Sequence, residues 1–448
     1  MNRMIRLSVA AAALSCTMAT PVLAQDVTVS SDELAAMRAQ LQAMNARIDQ
    51  LERELATAKQ VNTAQDEVIA ANSAAAESAA DPVVEELAKS DGWSFKPRGR
   101  LMYDAGFTNA PESTGAADGF GNEVRRARLG VSGDIPGGFG YKFEVDFAGN
   151  EIDVADAILT YGDGPLEIAI GHHNNFQSLE ELTSSLHTTF IERAAFTDAF
   201  GFERRIGASV AYEAGIVLAQ AGVFTDNFDD TDTKNRGVDG RLVIMPKMDD
   251  AQLHFGGSVH YNDIDEVGGT VRYRQRPLVH FTSERFVNTG NLGAESEFGL
   301  GLEAAAIAGP FHAAAEGFWQ TVNMPGAMGD PTFFGGYAEL GYYLTAGDTR
   351  GYKAGKFDRT KPSSPVGKGG IGSVQFNLRY DYLDLNDAGI LGGTQNGYLA
   401  SLIWKPTAYV LFGVNYGLLE YDNAVIPTAD GDTSYSVDAF GVRAQVDF

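Results

Sequence analysis

The sequence has little cysteine, little positive charge and no long apolar run, and each shortage excludes a class of protein. Its 448 residues include one cysteine, Cys16, which lies in a segment that we expect to be removed. The mature chain then has no cysteine for a disulfide, a thiolate metal site or a nucleophile. Lys and Arg total 34 against 59 Asp and Glu, and this net charge of -25 argues against a nucleic-acid partner. No apolar run is long enough for a membrane-spanning helix.

The first 24 residues have the organisation of a secretory signal peptide. Two arginines precede an apolar run from Leu7 to Met18, and Ala24 supplies the small residue before the expected cleavage site. A lipoprotein signal ending at Cys16 is the alternative, but Ala13 stands where such signals usually carry leucine. We therefore predict that residues 1–24 are removed and that the protein leaves the cytoplasm.

Residues 25–62 carry a heptad pattern that predicts an α-helical coiled-coil arm. The apolar seam alternates steps of three and four residues and consists of Leu34, Met37, Leu41, Met44, Ile48, Leu51, Leu55 and Ala58. We expect the arm to join copies of the chain; the alternative is a single amphipathic helix that lies on another domain. Residues 63–91 are rich in Ala, Ser, Asp and Glu, which predicts a linker.

From Trp93 onward the hydrophobic period changes to two, which predicts β-strands with one apolar and one polar face. The last strand, for example, places Phe440 and Val442 on one face and Arg443 and Gln445 on the other. Such strands are predicted around Tyr141, Tyr380 and Val442, and at 95–107, 124–134, 205–213, 237–245, 252–261, 298–304, 311–320, 334–344, 398–404 and 408–418.

Two folds bury such strands differently. A soluble sandwich packs the apolar faces together, whereas a membrane barrel turns them to lipid and lines a wet lumen with polar residues. The secretion signal, the aromatic residues near strand ends and the terminal Phe448 favour the barrel. We predict an all-β domain over 92–448, a closed transmembrane antiparallel β-barrel of about sixteen strands with an aqueous bore.

Strand parity places a strip of cations inside the bore. The inward set on two neighbouring strands is Lys96, Arg98, Arg100, Arg126 and Arg128. Arg125 has outward parity, so it should lie at the strand end or on a bulge. The strip is expected to attract anions in a site of reduced dielectric. The alternative is that these cations pair with lumen carboxylates such as Asp104, Asp134, Glu144 and Asp146 and only brace the wall.

The long segment from Gly171 to Arg204 is predicted to fold inward and narrow the bore over residues 172–200. Its candidate constriction residues are His173, Asn174, Glu180, Glu181 and Leu186, and Arg193 is a candidate pore-lining cation. The histidines fit no metal-ligand spacing, and the aspartates at 226–232 lack the glycine and glutamate of a calcium loop. We expect no metal and no cofactor.

Seven stretches of the chain are distinctive: 125–131, 178–185, 190–193, 204–207, 336–339, 380–386 and 392–396. Through these stretches the chain resembles the phosphate-selective porin O and P family of Gram-negative outer membranes. The resemblance implies a trimer of sixteen-stranded barrels, an inward third loop and a ladder of basic residues, onto which Arg100, Arg125 and Arg126 map. The chain departs from the family at Asn174, where a lysine is frequent, and at Leu186, where a basic residue is common.

These expectations describe a passive outer-membrane porin for small anions, possibly phosphate, that contacts membrane lipid, forms a homotrimer and carries its arm in the periplasm. Alternatives are a general porin and a structural tether that acts through the coiled coil. An outer-membrane lipase is a third alternative, but the sequence contains no G-x-S-x-G elbow, so no enzyme activity is predicted.

Overall fold

The computed structural model describes residues 92–150, 152–228, 234–264, 269–326 and 329–448, together with Ala46 and Gln50. The predicted signal peptide, and the coiled-coil arm and linker apart from those two residues, lie outside the described residues. No helix in the described part of the chain is long and apolar enough to cross a membrane.

The described residues form a 17-stranded sheet, in which sixteen strands are long and one is the two-residue segment Lys247–Met248. The first eight long strands are β1 (Lys96–Asn109), β2 (Gly119–Ile135), β3 (Phe139–Asp146), β4 (Asp153–Asp163), β5 (Leu166–Asn174), β6 (Arg204–Ala214), β7 (Val217–Phe224) and β8 (Arg236–Ile244). The others are β9 (Ala251–Asp263), β10 (Ser296–Ala308), β11 (Phe311–Asn323), β12 (Thr332–Tyr343), β13 (Ser373–Asp387), β14 (Ile390–Thr407), β15 (Val410–Asp422) and β16 (Tyr435–Asp447).

The sheet closes on itself. Each strand pairs antiparallel with the next, and β16 returns to β1 in a register that runs from Arg100 opposite Asp447 to Asn109 opposite Asp438. A spanning sheet must close in this way, because lipid offers no partner for the backbone groups of an open edge. The prediction of a closed antiparallel barrel is therefore confirmed.

The alternation along each strand separates an apolar outside from a polar inside. On β1, Leu101, Tyr103 and Phe107 are 48%, 45% and 53% exposed, whereas Arg100 and Asp104 are buried. A soluble protein would show the opposite arrangement, since it buries its apolar face. The outward apolar face and the buried inward charges are typical of a membrane barrel, which confirms that choice over the sandwich.

Three barrel strands, β4, β5 and β7, were absent from the sequence prediction. In β7 the outward face is partly small, because Ala219 and Ala221 stand between Val217 and Val223. Small residues weaken the contrast between the two faces that a period-two pattern depends on.

The two ends of the barrel differ. The turn end, where β1 starts and β16 stops, has connections of only a few residues except for one, 344–372. The loop end carries the longer connections, including 175–203 and 264–295. Two of these segments enter the lumen: 175–203, called the constriction loop, and Gly351–Asp358, called the inward hairpin, whose strands are Gly351–Lys353 and Lys356–Asp358.

Candidate functional site

The constriction loop crosses the lumen because the far wall supplies acceptors for its backbone. It contains two short helices, α1 (Leu179–Leu182) and α2 (Ala195–Ala199). Glu316 on β11 accepts the N–H groups of Leu179 and Glu180, at 2.8 and 2.7 Å. Asp381 on β13 accepts the N–H of Ala195 at 2.9 Å. These carboxylates satisfy donors that a helix start leaves without intrahelical partners, so the loop is anchored to the wall.

Aromatic packing fixes the same loop to the same half of the barrel. Phe196 of α2 lies against Phe318 and Tyr337, with ring centroids 6.2 and 6.3 Å away. Phe202 contacts Phe318 edge-on at 4.7 Å. The β10–β13 side of the lumen is therefore filled by loop side chains and by the wall residues that hold them.

The inward hairpin fills the turn end on the β8–β12 side. Tyr352 lies 2.6 Å from His254 Nδ1, and Arg241 donates to the carbonyl of Gly355 at 2.8 Å. The hairpin meets the constriction loop where Asp358 lies 3.6 Å from His187. Burial, then Lys405 and Arg359, lower the pKa of His187 to about 3, so this contact joins a neutral imidazole to a carboxylate at neutral pH.

Two cavities remain on the β1–β7 side. One, of about 220 Å³, lies on the loop-end side of the constriction loop and is bordered by Arg276 and His280 of the 264–295 connection. The other, of about 720 Å³, lies on the turn-end side and reaches the inward hairpin. Four residues line both cavities: Arg126, Glu181, Arg193 and Arg204. We call these four the junction, because they border both cavities.

Arg126 is the junction cation without a carboxylate partner. Arg126 is 8% exposed, and its guanidinium lies 3.9 Å from the Met102 sulfur. No ion pair joins Arg126 to any described carboxylate. A buried cation that lacks an ion-pair partner is costly unless water or an anion solvates it, so this guanidinium is a candidate anion-binding group of the site.

Most neighbouring cations are compensated. Arg100 lies 3.3 Å from Glu144, and Arg128 lies 3.2 Å from Glu144 and 2.7 Å from Asp146. Of the two alternatives for the cationic strip, wall bracing therefore describes Arg100 and Arg128. Lys96 lies near the turn-end rim, 3.9 Å from Asp134, and Arg98 lines the larger cavity.

Arg125 and Arg193 hold the constriction loop. The strand register skips Arg125 between Val124 and Arg126, which is the bulge that its outward parity requires. Arg125 then binds Glu192 through two contacts, at 2.6 and 3.1 Å. Despite burial, the Arg125 guanidinium holds the pKa of Glu192 well below its ordinary value. Arg193 donates to the carbonyls of Glu180, Glu181 and Thr183.

The predicted constriction residues divide between the wall and the loop. His173 and Asn174 were expected in the loop, but they lie on β5, because that strand continues to pair with β6 up to Arg204. Asn174 nevertheless reaches the loop and donates to Glu181 at 3.0 Å. Leu186 is buried.

Glu180 and Glu181 face in different directions within α1. Glu180 turns to the far wall and binds Arg379 of β13 at 2.8 Å. Glu181 points into the junction.

Several cations of the larger cavity were missed. Lys142 and Arg204 share Asp156, at 2.5 and 2.9 Å. The others come from the inward hairpin and its flank: Lys353, Lys356 and Arg359. Arg359 pairs with Asp447 at the end of β16. The available signal was a gap of almost thirty residues, 344–372, at the end of the barrel where other connections are short.

The described residues include no group of three or more His, Cys, Asp or Glu side chains that could hold a metal ion. The lining of the larger cavity includes guanidinium, ammonium and hydroxyl groups beside four carboxylates. Such donors bind anions through hydrogen bonds.

Comparison with known proteins agrees with this geometry. The family model described as phosphate-selective porin O and P matches residues 95–448. The chain belongs to this family. A protein of Caulobacter vibrioides, described as uncharacterized, is 42% identical over 477 residues, which covers 98% of this chain and 94% of that protein.

Solved porins share the fold of the family at low sequence identity. An anion-selective porin from Comamonas acidovorans has a TM-score of 0.52 and 12% identity, covering 80% of this chain and 100% of its own. OmpT of Vibrio cholerae has a TM-score of 0.51 and 10% identity, covering 80% of this chain and 99% of its own. The chain is thus an outer-membrane porin, and both family and fold indicate a channel rather than an enzyme.

Proposed function

We propose that this porin is a passive channel that favours small anions such as phosphate. The observation that carries the proposal is Arg126, a buried cation at the junction of the two cavities that forms no ion pair with a described carboxylate. An anion that reaches the junction gains the interaction that Arg126 lacks, whereas a cation is repelled. Selectivity arises in this way without a chemical step.

The charges that line the larger cavity also favour anions over cations. Its cationic lining residues are Arg98, Arg100, Arg126, Arg128, Lys142, Arg193, Arg204, Lys353, Lys356 and Arg359. Its carboxylates are Asp156, Glu167, Glu181 and Asp358. The lining therefore carries an excess of positive charge in a chain whose net charge is -25. A charged cleft with low-dielectric walls focuses its field and raises the local concentration of counter-ions.

Transport also requires that a bound anion leaves. Asn174 and Leu186 occupy positions at which a basic residue would strengthen binding, and Asn174 is already bonded to Glu181. With fewer cations around it, Arg126 should hold an oxyanion weakly. We therefore expect phosphate to enter and compete with chloride without closing the channel for long.

Replacement of Arg126 tests the proposal. In planar bilayers under a KCl gradient, we expect Arg126→Gln to lower the chloride-to-potassium permeability ratio about fivefold, the effect of one unit charge a few ångströms from the ion in a wet pore. Lys368→Gln is the matched control, because this exposed lysine lines neither cavity, and its reversal potential should equal that of the wild type. An unchanged permeability ratio in Arg126→Gln would contradict the proposed role of Arg126 in anion selectivity.

The assembly and orientation of the channel belong to the same proposal. The shorter connections of outer-membrane barrels face the periplasm, so we place the turn end and the N-terminal arm there. The heptad pattern of the arm supports association of several copies of the chain, and membership of the family suggests that the number is three. The passage lies within one barrel, so each copy would conduct separately.

A further inference from the structure

Glu181 is the one carboxylate among the four junction residues. It is 6% exposed, lies on α1 and faces the arginines rather than the far wall. Its carboxylate accepts from Asn174 at 3.0 Å and lies 3.3 Å from Arg193 Nε. An anion that approaches Arg126 therefore meets a negative charge at the same point.

The charged groups around Glu181 come from three parts of the barrel. Arg126 of β2 and Arg204 of β6 face it from the wall, and Arg193 and Glu180 lie beside it in the constriction loop. Burial raises the pKa of Glu181 above its ordinary value, although the three arginines act in the opposite direction. Glu181 therefore takes up a proton at a higher pH than an exposed glutamate does.

Loss of its charge leaves the arginines in place. The Arg193 side chain is held by the carbonyls of Glu180, Glu181 and Thr183, so it does not depend on the Glu181 carboxylate for its position. Arg204 is held by Asp156 at 2.9 Å. Protonation of Glu181 therefore changes the junction from two net positive charges to three without a change of shape.

We propose that Glu181 is a specificity-determining residue of this porin: its ionised carboxylate reduces anion passage, and its protonation relieves that effect. The proposal rests on the proposed anion-channel function and names the residue that regulates it. With Glu181 ionised, the junction admits anions with moderate preference; with Glu181 protonated, the preference rises. The proton comes from solvent in the cavities and returns to it, and no other bond changes.

Reversal potentials measured at pH 8 and pH 4.5 test this role in wild type, Glu181→Gln and the control Glu213→Gln. Glu213 is an exposed carboxylate at the turn end, outside both cavities. We expect the chloride-to-potassium permeability ratio of the wild type and of Glu213→Gln to rise about fivefold on acidification. Glu181→Gln should show the higher ratio at both pH values.

The outcomes separate this inference from the proposed function. A wild-type ratio that stays constant with pH, or a Glu181→Gln variant that retains the full pH response, overturns the role of Glu181 while anion preference and the Arg126→Gln effect survive. Absence of anion preference at both pH values overturns the channel proposal itself. If Glu181→Gln fails to fold, the pH dependence of the wild-type permeability ratio tests the role of Glu181 instead. Glu181→Asp keeps a carboxylate at this position and should retain the pH response.

Discussion

At the scale of single residues, Arg126 and Arg128 show what strand parity can and cannot predict. Both were expected to face the lumen. Arg128 is compensated because the register of β2 with β3 sets it opposite Asp146. Arg126 lies beyond the end of that pairing and meets a methionine of β1 instead. The side to which a residue points follows from the local pattern, whereas its partner depends on register between strands.

The Arg125–Glu192 pair gives a residue-scale prediction about stability. Arg125→Ala leaves the Glu192 carboxylate buried without its main partner, which should lower the free energy of unfolding by about 1–3 kcal/mol. Urea unfolding of the refolded protein in lipid vesicles measures the change.

The same pair predicts a pH dependence. The pKa of Glu192 is lowered in the folded protein, so its contribution is complete above the ordinary carboxylate pKa of 4.5 and is lost as pH falls toward the lowered value. The stability gap between wild type and Arg125→Ala should narrow below that pH. A stability difference that grows at acidic pH would contradict the stabilising role of the Arg125–Glu192 pair.

At the scale of elements, the inward course of the constriction loop was predictable and its attachment was not. The length of the segment between β5 and β6 indicated an inward fold. Its anchors lie far away in sequence, since Glu316 is 137 residues from Leu179 and Asp381 is 186 residues from Ala195. Single-sequence patterns contain no information at that separation. The inward hairpin was missed for a related reason: its contacts are with distant strands.

Removal of a loop anchor should widen the channel. Glu316→Ala leaves the N–H groups of Leu179 and Glu180 without acceptors, so α1 should detach from β11 and the junction should lose its fixed geometry. We expect a higher single-channel conductance with a lower anion preference. Glu420→Ala, which removes an exposed carboxylate from the outer wall, is the control and should conduct as the wild type does. Unchanged conductance in Glu316→Ala would mean that other contacts hold the loop.

At the scale of the whole molecule, the strand count followed from chain length and from the period-two pattern, because both survive in a single sequence. The distribution of charge between the lumen and the rest of the molecule did not follow from the sequence in this way. A chain with a net charge of -25 encloses a cavity whose charged lining residues are mainly cationic, and this partition exists only after the barrel has closed and two segments have entered it. Composition therefore gave no indication of the sign of the charges that line the cavity.

The most direct test of the anion-channel account is the zero-current potential of the wild-type protein in a planar bilayer under a KCl gradient, repeated with phosphate added. The account predicts a potential displaced toward the chloride equilibrium value and a chloride current that phosphate reduces reversibly. A potential displaced toward the potassium equilibrium value, or a chloride current that phosphate leaves untouched, would contradict it.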